Sequence, residues 1–133
     1  MVSIRHIESV VYSSTETARK YQLTKIDSTT AKLIAKGYFV YADKYFSMST
    51  AAQFNTLTMY TRRNDSTFMY PVIRSTQDSS DSVELINASN VEAFYTACES
   101  AVRELLDAGN ALKSQVNALS TLEQVKAFVD PRS

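Results

Sequence analysis

The stretch NASNVEAFYTACESAVRELLDAGNALKSQVNALSTLEQVKAFVD, Asn87 to Asp130, decides the fold. Val91, Cys98, Leu105, Leu112 and Leu119 recur at every seventh position, with Phe94, Tyr95, Ala101, Val102, Ala108 and Val116 beside them. That spacing lays one apolar face along several helical turns, which makes it a packing surface. Asn87 supplies an N-cap, and the helix runs toward Asn117, on the order of 45 Å if straight. Gly109 interrupts it at a cost of about 1 kcal/mol relative to Ala and marks close packing or a bend. Ser120-Thr121-Leu122-Glu123 reads as a capping box that opens a short second helix. Leu122, Val125, Phe128 and Val129 lie on or near one face of that helix, and Pro131 stops it.

Outward from this seam, Val83 to Ile86 reads as a strand that follows a polar turn, Gln77 to Ser82. Its partner is Phe68 to Arg74, where Pro71 cannot donate to a ladder and so takes an edge or bulged position. Upstream, Ser49 and Thr50 open a helix, and Thr50-Ala51-Ala52-Gln53 fits a capping box in which Gln53 reaches back. Phe54, Leu57 and Thr58 form its inward face, and it ends near Arg62. Tyr38 to Ala42 and Tyr45 to Met48 are aromatic and β-branched runs joined through Asp43 and Lys44 as a tight hairpin. Before them a helix begins near Asp27 or Ser28, carries Ala31, Leu33, Ile34 and Ala35, and ends at Gly37 in a left-handed terminus. Glu16 to Gln22 is helix-tolerant with little apolar face of its own. Met1 to Ser14 alternates imperfectly, as an edge strand or as an arm that orders on a partner.

The order is helix, two strands, helix, two strands, long helix, short helix. This is an α+β pattern, a small mostly antiparallel sheet of two hairpins packed by helices. With 133 residues the chain suits one core without metal or disulfide staples. Residues 25–133 read as a single domain and residues 1–24 as an N-terminal arm or edge element.

The composition narrows function mainly by exclusion. Fourteen basic and fourteen acidic residues cancel, which removes the footprint of a general nucleic-acid binder. Arg62-Arg63 and Arg19-Lys20 read as solvated helix ends. No run of eighteen apolar residues or signal-peptide pattern occurs, so the expectation is a soluble chain made in the cytoplasm, with no membrane partner. The lone Cys98 sits in the apolar repeat and reads as a buried small hydrophobe, and the lone His6 has no carboxylate or nucleophile placed beside it. Neither a zinc set nor an EF-hand spacing can be assembled, and Asp78, Asp81 and Glu84 read as a solvated turn. Glycine cradles and nucleophile elbows are missing, and Glu99, Glu104 and Asp107 read as the solvated side of a helix. The sequence therefore predicts no catalytic residue, no cofactor and no metal. The surfaces on which a partner is expected are the arm with Ile4, His6, Ile7 and Val10 and the aromatic hairpin with Tyr38, Tyr41 and Tyr45.

The order of motifs adds a setting. Ile34-Ala35-Lys36-Gly37-Tyr38-Phe39-Val40-Tyr41, then Tyr45-Phe46-Ser47-Met48-Ser49, then Ala51-Ala52-Gln53-Phe54-Asn55 resembles the middle of a small domain common in tailed bacteriophages. Val83-Glu84-Leu85, the helix with Val91 and Phe94, Ala111-Leu112-Lys113, Val116 and Ser120-Thr121-Leu122-Glu123-Gln124-Val125 resemble its ending. The resemblance covers roughly Lys25 to Asp130. That family often carries a tryptophan in its central strand, where this chain has none and Phe68 or Tyr70 stands nearest. Members are found in or beside tail-fibre and other tail proteins. The resemblance thus implies a virion structural protein located in the phage tail, an adaptor or tail-fibre-linked module that binds tail, tail-fibre or baseplate components or copies of itself. A tail-fibre assembly chaperone that leaves before maturation is the alternative it implies.

Overall fold

The computed structural model describes residues 14–133. The chain is α+β in the order α1 (Thr15–Lys36), β1 (Tyr38–Tyr41), β2 (Lys44–Ser47), α2 (Thr50–Arg62), β3 (Val72–Ser75), β4 (Ser82–Leu85), α3 (Ala88–Ala118) and α4 (Leu122–Ala127). Each hairpin is its own two-stranded antiparallel sheet, β1 with β2 and β3 with β4. Two compact units result, one from the described part of Met1–Lys32 together with Leu106–Ser133, the other from Leu33–Leu105.

In the first unit, α1 begins at Thr15, not near Asp27 or Ser28, and residues 15–24 are its first turns. Its buried residues are Ala18, Gln22, Ile26 and Thr30, one every fourth position, so they form a single stripe. Two of the four are polar, which is why apolar periodicity does not reveal the stripe. Their polar atoms are satisfied within the unit. Gln22 Nε2 donates to the carbonyls of Val125 (3.0 Å) and Phe128 (3.3 Å), and Thr30 Oγ1 donates to Ile26 O (3.0 Å). Ile26 packs with Leu112 and Val116, backed by Leu23 and Phe128. A Cβ on Gly109 would lie 2.5 Å from Thr30 Oγ1, so this glycine serves close packing. Asp27 and Lys113 pair at 2.9 Å.

The final helix is capped one residue later than the sequence suggests. Thr121 accepts from Gln124 N, and Gln124 reaches back to the Thr121 amide, so the box is Thr121 with Gln124 rather than Ser120 with Glu123. Val125 is fully buried, whereas Val129, placed by sequence near the same face, is 74% exposed because α4 ends at Ala127.

The second unit holds an aromatic core. Phe39, Phe46, Met48, Met59, Leu85, Val91, Phe94 and Cys98 are buried together. Phe94 is the hub, with Phe39, Tyr41 and Phe46 meeting its ring edge-on at centroid distances of 5.0, 5.2 and 5.0 Å. Alternation along β1 and β2 sends Phe39, Tyr41 and Phe46 inward and leaves Tyr38, Val40 and Tyr45 outside.

Here several boundaries differ from the sequence reading. Tyr41 pairs with Lys44, so the turn is Ala42-Asp43, and both residues have positive φ (51° and 61°). Gly37 does not take the left-handed conformation. It is needed for space, because a Cβ there would lie 2.6 Å from both Leu33 O and Met48 Cε. Ser49 is the cap of α2, accepting from Ala52 N, and Gln53 donates to Met48 O (2.8 Å) instead of closing a box with Thr50. β3 starts only at Val72, after the cis Tyr70–Pro71 bond, so Pro71 takes no place in the ladder. β4 runs Ser82–Leu85, one residue earlier than read. Asn87 caps α3 as expected, its Oδ1 accepting from Asn90 N (3.0 Å).

The face of α2 is inverted. Thr56 and Met59 are buried, whereas Phe54 and Leu57, expected inward, are exposed. The hydroxyls of Thr56, Thr58 and Thr61 donate to the carbonyls four residues back, so threonine can face the core with its hydroxyl satisfied.

Candidate functional site

The turned-out face of α2 creates a feature of its own. Phe54 and Leu57 stand beside Tyr95, Cys98 and Val102 of α3, and a groove of about 330 Å³ lies between them. Thr50, Gln53, Thr56 and Glu99 complete its lining. Phe54 is 69% exposed and Leu57 48%, although both border an apolar hollow. Cys98 forms part of its floor. Burial, and secondarily Glu99, pushes that thiol above its ordinary value, which makes it a packing atom and a poor nucleophile.

The α3 side of the groove is held in place by a ladder. Arg63 lies over the Tyr60 ring (3.9 Å), and Tyr60 stacks on Tyr95 (4.1 Å, 22° between planes). Arg63 Nη1 also donates to Tyr60 O (2.8 Å), and Tyr70 Oη donates to Arg63 O (2.7 Å). The Tyr95 phenol is raised above the usual range by burial first and then by the negative charge of Glu99. Arg63 and Arg62 therefore sit at the C-terminus of α2 with roles in packing, Arg62 lying over Phe68 (5.4 Å).

A second, more polar cleft of about 200 Å³ lies between the turns of the two hairpins, with Asp43, Tyr45, Gln77 and Asp78 on its walls. The hairpins are tied there by Gln77 N to Tyr45 O (2.9 Å), Lys44 Nζ to Ser82 O (2.8 Å) and a Lys44–Asp81 pair at 3.2 Å. Asp78 accepts from Ser80 and Thr76, and Asp81 from Ser82 and Lys44, which holds both carboxyls below the ordinary range. These carboxylates are occupied in shaping their own turn. Glu84 lies exposed on β4, and among the described residues no group of three His, Cys, Asp or Glu side chains could hold a metal. No helix of the described residues is long and apolar enough to cross a membrane.

The residues singled out in the sequence fall in three places. Ile4, His6, Ile7 and Val10 lie outside the described residues. Tyr38 and Tyr45 form an exposed edge-on pair (5.1 Å) on the outer face of the first hairpin. Tyr41 is turned inward onto Phe94 and Phe46, so it supports the hairpin from below and is not part of that pair. Sequence reasoning missed the groove. The missing signal is that Thr56 and Met59 sit three residues apart, and that Ala52 lies one turn before Thr56, a small and polar stripe on the opposite side of the helix from Phe54.

No family model matches this chain, and neither the curated proteins nor the solved structures searched contain a significant match to it.

Proposed function

We propose that this protein is a bacteriophage virion structural protein, a tail-associated adaptor or tail-fibre-linked module that works by binding another tail protein through the α2–α3 groove. The setting rests on the motif order that resembles a tailed-phage domain. The binding mode rests on one observation, the exposure of Phe54 and Leu57 along an apolar groove that the core does not use. Fully burying such a side chain is worth about 1.5–3 kcal/mol, so both residues hold free energy that a partner can recover. Aromatic anchors seated in hollows of this kind dominate protein interfaces.

Mass spectrometry of purified virions, combined with cryo-EM of the tail, tests the setting. The chain should be present at a fixed copy number, and its absence from mature particles would refute the structural role. A phage carrying Phe54→Ser and Leu57→Ser tests the binding mode. The variant chain should fold and accumulate yet fail to enter particles, and normal incorporation would rule out the groove.

A further inference from the structure

Resting on that reading, the chemistry of the groove narrows the partner. Among the described residues that line it, Glu99 is the one charged side chain. It lies one turn after Tyr95 on α3, and Tyr95 is stacked on Tyr60, which Arg63 covers. The apolar hollow therefore has a carboxylate at its rim. Arg103, one turn further along α3, reaches Glu99 only loosely, at 3.6 Å, with the two side chains 68% and 46% exposed. Such a pair is worth little and is easily displaced.

We infer that the groove takes a protein segment that seats an apolar side chain against Phe54, Leu57 and Val102 and presents an arginine or lysine to Glu99. Closing the segment over the hollow removes water from around the carboxylate. An incoming cation is then favoured more than at an open surface, and an acidic residue at the same position is repelled. Arginine suits the site better than lysine, since its planar fork can meet both carboxylate oxygens. The apolar contact supplies affinity, and Glu99 selects among apolar segments.

The probe is a series of short synthetic peptides with a central leucine or phenylalanine and one neighbouring position varied through Arg, Lys, Gln and Glu, titrated onto the intact chain by fluorescence anisotropy. On the unmodified chain the Arg and Lys peptides should bind about tenfold more tightly than the Gln peptide, and the Glu peptide more weakly still. Glu99→Gln should flatten this order, Glu99→Lys should reverse it, and Phe54→Ser should abolish binding of every peptide. Binding that Phe54→Ser removes but that ignores the varied charge would overturn this inference and leave the groove reading intact. No binding, or binding indifferent to Phe54→Ser, would overturn both. The charge series on the unmodified chain decides the question even where a variant fails to fold, and circular dichroism of each variant separates lost binding from lost structure.

Discussion

Gly109→Ala sets helix propensity against packing, and the structure fixes which should win. Gly109 lies inside α3, where alanine is favoured over glycine by about 1 kcal/mol. Propensity alone therefore predicts a more stable protein. The added methyl, however, would lie 2.5 Å from Thr30 Oγ1 and 3.6 Å from Thr30 Cβ, and Thr30 is itself buried. Threonine in a helix has few rotamers to escape into. The backbones of α1 and α3 must then separate, and overpacking of this kind costs about 1–3 kcal/mol. Against the propensity gain, the expected net effect is a destabilisation of about 1 kcal/mol.

Urea unfolding followed by far-ultraviolet circular dichroism measures the difference, and a companion variant makes the reasoning sharper. In a Thr30→Ala background the clash is gone, so Gly109→Ala should now stabilise by about 1 kcal/mol, giving a coupling of about 2 kcal/mol between the two positions. A Gly109→Ala single variant as stable as the parent, or more so, would refute the close approach. Independent, additive effects would show that the two residues do not touch.

Further outcomes follow from other parts of the chain. In the hairpin turn, Ala42→Asn with Asp43→Gly replaces residues held at positive φ by the pair that suits such a turn, and should raise stability by about 1 kcal/mol in the same assay. Leu105 packs partly buried against the aromatic core whereas Glu104 is exposed, so Leu105→Asp should abolish soluble folding and Glu104→Ala should leave soluble yield and melting unchanged. Asp130 is held below the ordinary carboxylate range, first by its hydrogen bond from Arg132. A depressed folded-state value contributes stability that is fully present above the unfolded carboxylate value of about 3.9 and is lost as pH falls through the folded one. Asp130→Asn should therefore lower stability at neutral pH and flatten the loss on acidification, and an unchanged acid limb in pH-dependent unfolding would exclude the pair as a contributor.

How much of the fold was legible depended on whether buried positions were filled by apolar residues. In α3 they were, and Val91, Phe94, Cys98, Leu112 and Val116 marked the buried face correctly. In α1 the inward stripe mixes Ala18 and Ile26 with Gln22 and Thr30, polar residues whose partners lie about a hundred positions away or one turn back. Local periodicity cannot register a glutamine that is satisfied by the carbonyl of Val125. The same principle inverted α2. Hydrophobicity places Phe54 and Leu57 inside, yet exposed apolar side chains are common, and the informative feature is a buried threonine. The groove was illegible for a related reason, since it arises where one flank of α2 meets α3, and neither helix carries its signature alone. The first hairpin is legible as two consecutive runs, but its turn falls at Ala42-Asp43 and alternation puts Tyr41 inward, apart from Tyr38 and Tyr45.

The inversion of α2 also bears on how function and folding can be separated. The core of the second unit closes around Phe94 with Phe39, Phe46, Met48 and Met59, and it does so without Phe54 or Leu57. A substitution in the first set removes buried volume and should cost about 3–5 kcal/mol for Phe94→Ala. A polar substitution in the second set changes largely exposed side chains outside the core, and such surface changes usually stay within about 0.5 kcal/mol. The stability of the core therefore does not depend on a phenylalanine at position 54. Substitutions at Phe54 and Leu57 can test binding without disturbing the packing around Phe94, so a loss of binding there is separable from a loss of fold.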